Sequence, residues 1–186
     1  MGDKGINELV GAFSRLNKEM PKTRLILVGP REENLDPLKP ETIKEIENNT
    51  SIEEVGRQKD VRPWYLAADV LTFPSFREGF PNVVIEAGAM GLPSIVTNIN
   101  GSREIIIEGE NGMIIPSKDE ESLYQVMKEM CHNKDKRLRM SSNARPLVAS
   151  RYEQSFVRQC LKDYYKEILS KQLPVSPYRN VIETNK

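Results

Sequence analysis

The spacing of apolar positions changes several times along the chain. Ile6, Leu9, Val10, Phe13 and Leu16 recur at helical spacing across Gly5–Met20, and Pro21 ends the run. Arg24–Val28 (RLILV) is a short apolar block closed by Gly29-Pro30, the pattern of a buried strand. Pro37 and Pro40 punctuate a loop, Glu41–Asn48 reads as a polar helix, and Ser51–Val55 reads as a weak strand ended by Gly56. A helix over Val61–Ala68 and a strand over Val70–Phe73, stopped by Pro74, continue the alternation. Pro81–Met90 predicts a helix with proline in its first turn and Gly91 just past its end. Ser94–Thr97 is the next strand, Ser102–Ile107 a short helix, and Asn111-Gly112 a turn before strand Met113–Ile115. Ser117–Asp119 caps a helix over Glu120–His132, and two more helices follow near Lys136–Ser150 and Glu153–Gln172.

Strands that alternate with helices, and are themselves apolar, predict an α/β fold. Its expected form is a doubly wound, Rossmann-like parallel sheet with helices on both faces. Such sheets bind ligands outside the carboxyl ends of their strands, which singles out the loops after Val28, Val55, Phe73 and Thr97. The expected organisation is one domain over residues 1–172, followed by a polar tail over 173–186.

Bulk composition narrows the function classes. The chain has 186 residues, 38% apolar and 29% charged, with 27 basic residues balancing 27 acidic ones. A net charge of zero argues against nucleic acid as the main partner. The longest apolar stretch, Val83–Leu92, holds Glu86 and two glycines and is too short to span a bilayer. MGDKGINELV shows no charged leader ahead of an apolar block, so a cytoplasmic location is expected. Cys131 and Cys160 lack metal-ligand spacing and read as reduced thiols. His132 is the only histidine, which excludes a histidine-based triad and a multi-histidine metal site; it reads as a helix-terminus residue.

Chemistry concentrates in the loop Pro74–Phe80 (PSFREGF) and the helix after it. Gly79 is expected to adopt a backbone conformation closed to other residues and to let a ligand approach. The helix start offers N–H groups at Phe80, Asn82 and Val83, an anion site suited to phosphate, while Pro81 has none to give. Glu86 is the helix's only charged residue, so the helix reads as buried on all sides and its carboxylate as needing partners. The alternative is a glutamate that reaches solvent at the helix edge or pairs with an arginine. Glu78 stands just before the helix, where a plain loop carboxylate is an equal alternative. Carboxylates repel phosphate but accept from hydroxyls, so two of them around an anion site suggest a nucleotide-sugar.

Glu78-Gly79-Phe80-Pro81-Asn82-Val83-Val84-Ile85-Glu86 resembles the Glu-x7-Glu motif of retaining glycosyltransferases of the GT-B fold, specifically family 4. DKG at Asp3–Gly5, LILVGP at Leu25–Pro30, DVRPWYLAADVLTFPS at Asp60–Ser75, NGSREII at Asn100–Ile106 and NGMIIP at Asn111–Pro116 resemble that family's C-terminal domain in the same order. The resemblance covers roughly residues 3–170 and is nearest to the bacterial branch that builds surface polysaccharides or lipid-linked oligosaccharides.

By that resemblance Glu78 contacts donor-sugar hydroxyls and Glu86 holds the ribose diol. Gly79, Phe80, Pro81, Asn82 and Val83 bind sugar and diphosphate. Lys4, which the residues alone mark as a solvated lysine, contacts the diphosphate, and Glu78 and Lys4 form the catalytic pair. Gly29, Pro30, Gly56 and Arg57 pack on ribose and base. The implied reaction transfers a sugar, with a UDP-sugar as the expected donor, to an acceptor hydroxyl with retention. No metal or cofactor is expected, since Lys4 and the helix start can offset charge. The family also carries a strand and a Gly-Arg pair ahead of its Lys-Gly segment, and a separate acceptor domain. Neither matches these residues, so the chain is expected to hold a donor without completing transfer. The acceptor is expected to be a lipid-linked sugar, with membrane contact made by other parts of the protein. A non-catalytic nucleotide-sugar module and a GT-B epimerase are the alternatives.

Overall fold

A computed structural model describes residues 2–31 and 36–171, so the polar tail over 173–186 lies outside the described residues. The chain divides into two units, Met1–Ala149 and Ser150–Lys186.

The first unit carries five strands, β1 (Leu25–Val28), β2 (Ile52–Gly56), β3 (Leu71–Phe73), β4 (Ser94–Thr97) and β5 (Gly112–Ile115). Helix α1 (Ile6–Glu19) precedes them, α2 (Pro40–Asn48), α3 (Arg62–Ala67), α4 (Asn82–Ala89) and α5 (Ser102–Ile105) lie between them, and α6 (Glu120–His132) follows. Every strand pairing is parallel, as strand–helix alternation requires. Among the described residues the hydrogen-bonded ladder is not continuous: β1 pairs with β2 alone, and β3, β4 and β5 form a separate three-stranded sheet. β4 is buried along its whole length, the place of a central strand. β2 is less apolar than its neighbours, with Glu53 and Glu54 exposed.

Helix α1 places Leu9, Val10, Phe13 and Leu16 on one buried face, and α6 answers with Leu123, Tyr124, Met127 and Met130. Each fully buried side chain of this size contributes about 1.5–3 kcal/mol. This pair of helices therefore forms a stable floor under the chain's first turn. Asp119 caps α6 by accepting from the Ser122 N–H at 2.9 Å, as the sequence indicates. His132 is the last residue of α6.

Helix α7 (Lys134–Tyr152) carries Met140, Ala144 and Val148 into the core. The Val148 side chain would lie 2.6 Å from a Cβ built on Gly88, so α4 and α7 meet at closest approach there. In the second unit, α8 (Gln154–Ser170) is capped by Glu153, and its apolar side chains Phe156, Leu161, Tyr164 and Leu169 are exposed. Both cysteines are free thiols, and burial pushes the Cys131 thiol up. Among the described residues no helix is long and apolar enough to cross a membrane.

Candidate functional site

The site is built where β3 runs out. Pro74 ends the strand, and the chain turns through Ser75–Phe80 before α4. This turn is clamped from a distant part of the chain. Phe76 N–H donates to the Asp3 carbonyl at 2.8 Å, and the Arg77 guanidinium meets the Asp3 carboxylate at 2.9 Å. Gly5, at φ 69°, lets the first turn sit directly on the loop; a Cβ there would lie 2.2 Å from the Pro74 carbonyl oxygen. Residues 2–5 are thereby fixed against the mouth of β3.

That clamp brings Lys4 to Glu78. Lys4 Nζ lies 2.7 Å from Glu78 Oε1, across a sequence separation of 74. The Ser75 hydroxyl donates to the same oxygen at 2.8 Å. The Glu78 side chain keeps only 15% of its exposure, against 48% for Lys4. Sequence reading alone assigns Ser75 no role; the fold makes it part of the site.

Helix α4 begins at Asn82, with Pro81 as its N-cap rather than inside the first turn. The first turn leaves the Asn82 and Val83 N–H groups without intrahelical acceptors, while Val84 N–H already reaches the Pro81 carbonyl. Gly79 is exposed, and a Cβ on it would meet nothing within 4 Å, so a ligand can approach its backbone. It does not, however, occupy a left-handed conformation as expected. The constrained glycine is Gly101, at φ 79°, whose Cβ would lie 2.3 Å from the Gly79 carbonyl oxygen. Gly101 thus lets the β4–α5 loop close against Gly79. Phe80 is 45% exposed at the same edge.

The expectation of a helix buried on all sides is corrected. Val84, Ala87 and Gly88 are buried, but Asn82, Glu86 and Ala89 form an exposed stripe at helical spacing. Small residues satisfy either environment, so the lack of polar groups at Ala89 did not mark a buried face. Glu86 is accordingly an exposed carboxylate, and the requirement for buried partners falls away. It does have an organising contact: the Tyr65 hydroxyl of α3 donates to Glu86 Oε2 at 3.2 Å and lies 3.4 Å from the Val83 carbonyl. Burial, reinforced by the Glu86 charge, pushes the Tyr65 hydroxyl above its ordinary range, so it stays a donor at neutral pH. Tyr65 too was missed from the sequence, where it reads as an ordinary helix residue. The signal was available only as Tyr in the helix preceding β3.

Gly29 and Gly56 meet at the carboxyl ends of β1 and β2, where Gly29 N–H donates to the Gly56 carbonyl at 2.9 Å. Both have positive φ and open space where a side chain would be. Pro30 and Arg57 flank them and are exposed. Arg31 holds Glu54 there through its Nε at 2.9 Å. The residues expected to bind a ligand therefore lie at carboxyl ends of strands or at the start of α4, except Glu86, which sits one turn into α4, and Lys4, which the clamp delivers. Among the described residues no cluster of three or more His, Cys, Asp or Glu side chains could hold a metal ion.

Comparison with known proteins gives a consistent picture. The family model described as "Glycosyl transferases group 1" matches residues 2–146. The capsular polysaccharide biosynthesis glycosyltransferase CapM of Staphylococcus aureus is 26% identical over 167 residues, covering 90% of this chain and 44% of CapM. The crystal structure of Anabaena HepE in complex with UDP superposes with a TM-score of 0.80 at 22% identity, over 90% of this chain and 46% of that one. The C-terminal domain of the group 1 glycosyl transferase LpcC from Francisella tularensis superposes with a TM-score of 0.74 at 24% identity, over 83% of this chain and 82% of that domain. The chain thus spans less than half the length of CapM and HepE but most of an isolated C-terminal domain.

Proposed function

The chain belongs to the group 1 glycosyltransferase family, and from that membership we propose that it binds the sugar donor for a retaining sugar transfer. The donor is a nucleoside diphosphate-sugar, with UDP as the nucleotide. The convergence of Lys4 and Glu78 on the start of α4 carries this reading. It sets a cation and a hydroxyl-accepting carboxylate beside a helix start, the three features that a sugar diphosphate needs.

In this reading the diphosphate lies at the first turn of α4, against Asn82 and Val83 N–H and the open backbone of Gly79. Glu78 accepts from hydroxyls of the donor sugar. Glu86 accepts from the ribose diol, and the Gly29, Pro30, Gly56 and Arg57 cluster borders the base. Transfer breaks the bond between the anomeric carbon and the diphosphate oxygen, and negative charge grows on that oxygen. Lys4 and the helix start stabilise it, so binding needs no metal ion. The anomeric carbon bonds to the acceptor oxygen, whose proton passes to the departing diphosphate oxygen, while a further domain, which together with this one makes a GT-B enzyme, holds the acceptor. The name of CapM supports a glycan product, and a lipid-linked acceptor at the inner face of a membrane suits such a product. The same reading accounts for the split sheet. In the doubly wound order 3-2-1-4-5-6, β2, β1, β3, β4 and β5 take the places of strands 3, 2, 4, 5 and 6. One further strand at the central place would join the two sheets.

Titrating the chain with UDP, UDP-glucose, UDP-N-acetylglucosamine and GDP-mannose by amide NMR tests the proposal. Shifts at Gly79–Glu86 with a UDP-sugar, undiminished by a chelator, are expected. No shift there with any of the four would sink it.

A further inference from the structure

We propose that Ser75 is the positioning residue that aims Glu78 at the donor sugar, an inference that rests on the donor-binding reading above. Ser75 has no exposure to solvent, so it cannot touch a ligand itself. A hydroxyl has one proton to give. The Ser75 hydroxyl has its shortest contact with Glu78 Oε1, at 2.8 Å, against 3.2 Å to the Asp3 carbonyl and 3.5 Å to the Arg77 carbonyl. The shortest distance and the negative charge of the carboxylate both favour Glu78 as the acceptor of that proton.

Ser75 is itself immobilised. Its carbonyl accepts from the buried Thr97 hydroxyl on the adjacent strand β4. Pro74, also buried, precedes it. The hydroxyl is therefore anchored to the sheet, while Lys4, the other partner of Oε1, is a flexible side chain 48% exposed. With Oε1 taken by both, Oε2 is left without a hydrogen bond among the described residues. Ser75 thus divides the carboxylate into one anchored oxygen and one presented oxygen. A donor approaching the Gly79 backbone meets the presented one. Lys4 can turn toward the diphosphate without releasing Glu78, because the Ser75 bond remains.

The test uses the full chain with Ser75→Ala and Ser75→Thr, the second retaining the hydroxyl. Two quantities are measured: the carboxyl carbon resonance of Glu78 in glutamate-labelled protein, and the affinities for UDP and UDP-glucose by calorimetry. Removal of the hydroxyl is expected to move the Glu78 resonance. It should also lower the UDP-glucose to UDP affinity ratio about five- to tenfold, with UDP affinity itself unchanged, on the scale of one hydrogen bond to a charged group. Ser75→Thr should restore both. An unmoved Glu78 resonance in Ser75→Ala overturns the proposal whether or not the protein binds nucleotide. So does an equal loss of UDP and UDP-glucose affinity, which would mark a purely structural role. A moved resonance in a chain whose parent binds no nucleotide overturns the donor reading while upholding the hydrogen bond.

Discussion

Glu78 and Glu86 close the two ends of one short segment, and the fold holds them by different means. Glu78 lies on a loop, which has no repeating geometry of its own. Its place depends on Lys4, Ser75, the Asp3 backbone and, through Ser75, on Thr97 of the next strand. Glu86 lies on a helix whose backbone already fixes its Cβ, and one hydroxyl, from Tyr65, suffices to choose the side chain's direction. A loop carboxylate needs tertiary support from several elements, whereas a helical one needs only a rotamer selected. The division also suits the two tasks proposed for these residues. A sugar-contacting group must be placed against a changing bond, whereas a ribose-contacting group serves every donor of one nucleotide.

The sharpest way to break this comparison is at the clamp. Gly5→Ala forces a side chain into φ 69° and drives its Cβ against the Pro74 carbonyl. A stability loss of about 2–4 kcal/mol is expected from strain plus clash, read from urea denaturation. A loss below about 1 kcal/mol would mean that the first turn is not seated as described.

Next in size is Glu86→Gln, which should weaken UDP and UDP-glucose equally, by about tenfold or more, since both carry the ribose. Calorimetry that finds a loss confined to UDP-glucose would reverse the assignment of the two glutamates. Tyr65→Phe should have the same signature at smaller scale, about three- to tenfold on both ligands, because it removes one donor and leaves the carboxylate. An unchanged UDP affinity in that variant would show that the Tyr65 contact does not orient Glu86.

The smallest effect concerns the start of α3, the helix that presents Tyr65. Hydrogen bonds from Arg62 hold the Asp60 carboxyl down at about 2. A carboxyl lowered on folding adds stability above its ordinary pKa of about 4 and loses it as pH falls through the folded value. Asp60→Asn should therefore melt slightly lower than the parent near neutral pH. The gap should close as pH falls from about 4 to 2. A gap independent of pH would assign the effect to packing.

Much of this architecture was legible beforehand. Gly91 closes α4 as read, while Pro81 stands just ahead of it: Leu92 N–H reaches back to Ala87 and Gly91 N–H to Gly88, the hydrogen bonds of a helix stop. Asp119 caps α6 as read, whereas Glu153, read as the first residue of the last helix, stands as the cap of α8. Glu78 and Glu86 were both marked from charge and position. The face of α4 is not legible in its small residues, because an alanine such as Ala89 fits inside or outside. Gly79 was given a conformation that belongs to Gly101, because a glycine's need arises from the backbone it must approach, and that backbone lies elsewhere in the chain. Ser75 and Tyr65 carried no mark at all, since their hydroxyls matter only through atoms brought near by folding.

The order of the amino acids was enough for the strands, the helices, the cap at Asp119 and the parallel pairing. Those depend on periodicity and on groups within a few residues of one another. Tertiary structure alone decided that Lys4 stands on Glu78, that Ser75 and Tyr65 orient the two carboxylates, and that the strands pair as two separate ladders. Each of these is a contact or a gap between distant segments. A hydrogen bond is short and directional, so it exists only once packing has fixed both partners to within a fraction of an ångström.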